Sequence, residues 1–256
     1  MQNIKFKIDK IIQKVTEYKI EPAFSIELSK RVNKRTPKAF TNSELLRLFI
    51  RIIAYSQQAQ SVKVKIVIEK NVFDRIFHNY SVNKVAKMNP CDIADAHWQK
   101  IKAIRKKTKL FQTVMFARVI QRNKTILPLL TNPPIPIRIK SQKDIDSFWN
   151  GFKEMQSKLK EAETPFLQSS TTLLHFLMDM GYDCIKPDSS LMKAAKKIGI
   201  IDNVAGEKQL IDTVKFIQQY SLDNSIKPSI LDLYLIIEGK QTEASLLVDK
   251  SFYKRR

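Results

Sequence analysis

The sequence predicts an all-α fold of two helical subdomains with a cleft between them. Apolar residues recur at the spacing of one helix face along most of the chain, and strict alternation over four or more residues is nearly absent. The stretch TNPPIPIRIKSQ, from Thr131, carries three prolines, which exclude a helix there and make it an extended connector. A chain of 256 residues, 43% of them hydrophobic, is also long enough to bury one large or two modest cores. The expected order is a helical extension over 1–40 that belongs to the fold, a first subdomain over 41–130, the connector over 131–143, and a second subdomain over 144–256.

Each element has its own signal. TNSE is a helix start in which Thr41 or Ser43 caps, followed by the dense apolar face Leu45, Leu46, Leu48, Phe49, Ile52 and Ile53. AYSQQAQS ends that helix in a polar loop or turn. A further helix is expected over Val62 to Glu69, then a short helix or turn at VFDRIF, then short segments with Asn89-Pro90 and Asp92 as start signals. From Trp98 to Arg122 the pattern fits one helix or two, broken near Lys109. The connector has room for a short strand at Ile137 to Ile139. Helical spacing resumes over Asp144 to Lys160, Leu173 to Met180, Leu191 to Ile198, Glu207 to Tyr220 and Pro228 to Glu238. The tail from Gln241 fits a last short helix with a basic end.

Charge narrows the partner. The chain has 45 Lys+Arg against 25 Asp+Glu, a formal charge of +20, which favours polyanions and repels itself in the compact state. From Lys100 to Lys124 there are nine Lys/Arg and no acid, whereas an ordinary solvated face mixes signs. Lys106, Lys107 and Lys109 lie in the densest piece. Lys193, Lys196 and Lys197 share one face of a later helix. Both clusters suit phosphate contacts and point to nucleic acid ahead of a membrane surface, without telling which polyanion. Two cysteines and three histidines show no metal-ligand spacing, so neither a metal nor another cofactor is expected. The first residues lack a signal-peptide core and no run approaches a membrane span, so the expected location is cytoplasmic, nucleoid-associated in a bacterium, with no membrane partner. A monomer is expected.

The order of these features resembles the helix-hairpin-helix superfamily of DNA glycosylases. Ala54-Tyr55-Ser56-Gln57-Gln58 is similar to the family's LSQQ-like stretch, whose side chains probe or fill the gap left by an extruded base. Lys186-Pro187-Asp188-Ser189-Ser190-Leu191-Met192-Lys193 with Ile198-Gly199-Ile200 is similar to its catalytic aspartate segment. Pro228 to Leu233 and Glu238-Gly239 resemble the closing helix, so the likeness runs from Asn42 to Gly239 through weak motifs in the right order. It implies double-stranded DNA as substrate, Asp188 as catalytic residue, and Tyr55, Gln57, Gln58, Trp98, Trp149 and Tyr182 as base-pocket or gap-filling candidates. The hairpin position, Thr164 to Thr172, departs from the family by holding no glycine. Ser169, Ser170 and Thr171 stand there as backbone-contacting candidates. No lysine lies between Lys160 and Lys186, so the resemblance implies the monofunctional kind, which hydrolyses the glycosidic bond without cutting the strand.

That chemistry needs a carboxylate beside C1′ to stabilise an oxocarbenium-like state and orient water, with the target nucleotide flipped out of the duplex. An aspartate opening a helix is held rigidly, where the helix dipole favours negative charge. Residues alone also allow Asp188 to be an ordinary cap. Asp183 is a rival carboxylate, and His175 reads as a core residue. An inactive DNA-binding protein of the same fold, or a basic scaffold for RNA or an acidic partner, are the alternatives.

Overall fold

The computed structural model describes residues 2–17, 22–32, 40–56 and 59–239. Among them there is no strand. The helices are α1 (Gln2–Glu17), α2 (Pro22–Val32), α3 (Asn42–Tyr55), α4 (Ser61–Glu69), α5 (Val72–Ile76), α6 (Val82–Val85) and α7 (Pro90–Ile101). They continue as α8 (Thr108–Arg122), α9 (Ile126–Thr131), α10 (Gln142–Glu161), α11 (Ser170–Met180), α12 (Ser189–Ile198), α13 (Glu207–Asp223) and α14 (Pro228–Glu238). None is long and apolar enough to cross a membrane.

Packing divides the chain into two compact units that do not follow it in simple order. One comprises Met1–Thr36, Pro136–Ser147 and Met180–Arg256; the other comprises Pro37–Ile135 and Phe148–Asp179. The chain therefore passes between units four times: between α2 and α3, at the connector, within α10 and at the end of α11.

In the second of these units, α3 supplies the central face. Its start is a complete capping box, with the Thr41 hydroxyl accepting from the Glu44 amide and the Glu44 carboxylate accepting from the Thr41 amide. Leu45, Leu46, Phe49, Ile52 and Ile53 are all buried. Phe49 stacks on Phe116 of α8 with ring centroids 3.8 Å apart, and Phe166 meets Phe49 edge-on at 6.0 Å. Asn89 caps α7 ahead of Pro90, by accepting from the Cys91 amide.

The expected break near Lys109 lies earlier than the sequence indicated. The α7 helix closes in a 3-10 turn over Lys102–Ile104, and Arg105 adopts φ +72 before α8 begins. A left-handed non-glycine residue cannot continue a helix, so the break falls there.

In the unit containing α1, α2, α12, α13 and α14, Val15, Phe24, Leu233, Tyr234 and Ile237 form one core cluster. Lys7 donates to the Ile198 carbonyl at 3.0 Å, satisfying the end of α12, and Gly199 takes the left-handed cap conformation at φ +95. Packing of α12 on α14 depends on Gly239, where a Cβ would sit 2.5 Å from the Ser190 carbonyl oxygen.

No strand forms at Ile137 to Ile139. A side chain takes the place of a partner strand there. Asp183 accepts from the Ile139 amide at 3.1 Å and from Arg138 at 2.8 Å, while its own amide donates to the Ile137 carbonyl at 3.0 Å.

Candidate active site and nucleic-acid interface

Asp188 is the N-cap of α12. Its backbone is extended, and Oδ1 accepts from the amides of Ser190 at 3.0 Å and Leu191 at 3.1 Å. Oδ2 lies 3.5 Å from Lys186 Nζ, and the side chain retains 19% of its exposure. Both observations matter: one oxygen is fixed by helix amides, while the carboxylate is not sealed from solvent. The inward face of α12 carries Leu191, Met192, Ala194, Ala195 and Ile198, leaving Lys193, Lys196 and Lys197 exposed outside. Lys197 pairs with Glu238.

Beneath this cap lies a carboxyl that sequence reasoning missed. Asp232, on α14, is fully buried and takes the Arg31 guanidinium at 2.6 Å on Oδ2. Arg31 also donates to the Ser229 carbonyl at 2.5 Å and reaches Glu27 at 3.4 Å. Asp232 Oδ1 and the Ser190 hydroxyl are buried without a hydrogen-bond partner among the described residues. Burial pushes the Asp232 carboxyl above the usual range; Arg31 opposes that, and the nearby Asp188 charge adds to the rise. Asp188 thus sits among two helix amides, an ammonium and a second carboxyl. The available signal was a lone acid within the apolar run PSILDLYLII.

Asp183 is removed as a rival, because both its oxygens hold the connector and its carbonyl accepts from Gln218 at 3.0 Å. His175 lies 3.5 Å from Asp179, one turn along α11.

The aromatic candidates separate by burial. Trp149 lies in the core instead of a base pocket, packing against Phe148 at 5.6 Å and Phe152 at 5.3 Å. Tyr182 is likewise buried, which pushes its hydroxyl up to about 12 and withdraws it from the expected gap-filling set. Tyr55 and Trp98 are half-buried, and Lys107 Nζ lies 5.7 Å from the Trp98 ring centroid. Gln57 and Gln58 lie outside the described residues.

Their flanks are nonetheless informative. Gln60 donates its amide to the Ala103 carbonyl at 2.9 Å, bringing the start of α4 beside the basic Lys102–Lys107 segment. Lys109 leaves the expected phosphate-contacting set, because it is 2% exposed and donates inward to the Ser56 carbonyl at 2.6 Å and the Ala54 carbonyl at 3.4 Å. It serves as an internal C-terminal cap of α3. Burial, with repulsion from Lys106, lowers its ammonium to about 8. Lys106 and Lys107 remain exposed.

At the glycine-free turn between α10 and α11, Glu163 and Phe166 adopt φ +48 and +67, conformations that glycine would enter without steric cost. The turn is fastened by Gln156, which donates to the Gln168 carbonyl at 3.1 Å and to Ser170 Oγ at 2.9 Å. Ser170 is buried, which corrects its expected place at a DNA backbone. Ser169 is exposed, but its hydroxyl shares a 2.8 Å hydrogen bond with Thr172, whose Oγ1 also donates to the Phe166 carbonyl. Thr171 is half-buried at the start of α11.

Comparison with known proteins found no matching family model, curated protein or solved structure.

Proposed function

We propose that the chain is a monofunctional DNA glycosylase, similar to the helix-hairpin-helix kind, which hydrolyses the N-glycosidic bond of a flipped-out damaged base. The observation that carries this reading is the partly exposed Asp188 carboxylate, fixed through Oδ1 by two amides of α12 with Lys186 beside Oδ2. A carboxylate so held needs little reorganisation when positive charge develops at C1′, and Oδ2 is placed to orient water. Exposed Lys193 and Lys196 on the same helix suit the phosphates flanking that nucleotide. No second acid is required if the leaving base already carries positive charge, so an alkylated purine is the preferred substrate.

A second reading, a DNA-binding protein without catalysis, draws on the turn between α10 and α11. The hydroxyls of Ser169, Ser170 and Thr172 are engaged in internal hydrogen bonds there, and the turn contains no glycine to let a phosphate approach the backbone closely.

The test is incubation of the wild-type protein with duplexes bearing N3- or N7-methylated purine, 8-oxoguanine, uracil or hypoxanthine. The expected product is an abasic site, visible as a strand break only after alkali, with the methylated purine processed fastest. Duplex binding with no product on any lesion would favour the second reading.

A further inference from the structure

The outward face of α8 carries an alternation of cations and apolar groups that the proposed chemistry at Asp188 does not use. Phe111 and Met115 are 44% and 43% exposed, although large hydrophobic side chains in the same helix, such as Phe116, are fully buried. Four residues before Phe111 lies Lys107, whose ammonium reaches over Trp98. Beyond Met115 lies Arg118, which approaches the Met115 sulfur at 3.7 Å and is pinned through Nε to the Ala86 carbonyl at 2.9 Å and through Nη2 to the Met88 carbonyl at 3.1 Å. Arg122 follows one turn later and is exposed. The resulting row reads aromatic, cation, aromatic, thioether, cation, cation.

We infer that this row is a binding surface for single-stranded nucleic acid. The inference rests on reading the chain as a nucleic-acid-acting protein, and not on catalysis by Asp188. Charge fixes the class of ligand, because no Asp or Glu occurs between Lys100 and Lys124. The apolar members fix its form. A helix that reads a duplex groove presents hydrogen-bonding side chains to base edges, whereas Phe111 and Met115 present none. An aromatic ring such as that of Phe111 stacks on base faces, with Met115 as its apolar neighbour, and a duplex hides those faces whereas a single strand exposes them. Neighbours four apart on a helix are about 6 Å apart. From Lys107 to Arg122 the row spans about 22 Å, matching about six stacked nucleotides at about 3.4 Å each. The Arg118 guanidinium is already immobilised by two carbonyls, so little ordering remains to oppose binding there.

Trp98 supplies the direct readout. Titrating the full chain with an oligothymidine strand should quench the half-buried Trp98, while buried Trp149 provides a constant background. The double variant Phe111→Ala/Met115→Ala should bind that strand about tenfold more weakly, the scale of losing one stacked base. Its affinity for an unmodified duplex and its yield of abasic product should stay at the wild-type level. Because both residues are exposed, circular dichroism should show an unchanged fold. Wild-type single-strand affinity in the double variant overturns the inference even if abasic product forms. So does tighter binding of polyglutamate or of phosphatidylserine vesicles than of the strand. Absence of product with single-strand binding intact bears on Asp188 alone and leaves this surface supported.

Discussion

Asp188 combines two roles whose contributions separate by substitution. Asparagine caps helices as well as aspartate does, so Asp188→Asn should keep the stability of α12 while removing the carboxylate. Asp188→Ala should cost about 1 kcal/mol in urea unfolding, because the Ser190 and Leu191 amides lose their acceptor. Lys109 makes a different prediction. Its folded-state value is about 8 against an ordinary 10.5, so the unfolded chain binds more protons between those values and stability contributed by this group rises with pH across that window. In Lys109→Met the rise should vanish, which the difference between the two proteins' unfolding free energies at pH 7.5 and 10 would reveal. A parallel pH response in both would contradict the burial of the ammonium. Sequence could not single out this lysine. In IRKKTK each cation looks equally solvated, and only the start of α8 at Thr108 turns Lys109 towards the end of α3 while Lys106 and Lys107 stay outside.

At the scale of elements, what the sequence disclosed was local and what it hid was distant. The capping box of α3, the Asn89-Pro90 start of α7, the cap of α12 and the bounds of α14 all follow from neighbouring residues, and each is found where its signal stands. The Arg31–Asp232 pair joins residues 201 positions apart, which no local pattern encodes. The absent strand at Ile137 to Ile139 has the same origin, since Asp183 satisfies that backbone from 44 positions away. The buried pair has a testable weight. Arg31→Met leaves the Asp232 carboxyl buried without its cation and should cost about 3–5 kcal/mol at neutral pH. Burial holds this carboxyl above its usual range in the folded protein, so the folded state takes up a proton first as pH falls. The variant should therefore regain part of its loss on acidification from pH 7 to 5, read by thermal unfolding. Close packing of α12 on α14 is tested by Gly239→Ala, whose new methyl meets the Ser190 carbonyl and should cost about 1–3 kcal/mol.

For the molecule as a whole, an excess of 20 positive charges shapes both stability and partner choice. Self-repulsion is screened by salt, whereas attraction to a polyanion is weakened by it. Raising sodium chloride from 20 to 200 mM should thus raise Tm and lower duplex affinity together. Replacing both Lys106 and Lys107 by Gln should reduce the slope of log K against log salt by about 0.9 for each phosphate that the variant no longer neutralises. Such binding data establish the ligand but not the chemistry, and the chemistry is the central matter. It is tested most directly by single-turnover formation of abasic sites on a methylated-purine duplex, with wild type and Asp188→Asn compared at equal fractional binding. Wild type should convert the duplex while the Asn protein binds it with the same Kd and yields no product above the uncatalysed background. Equal rates from the two proteins would contradict catalysis by Asp188.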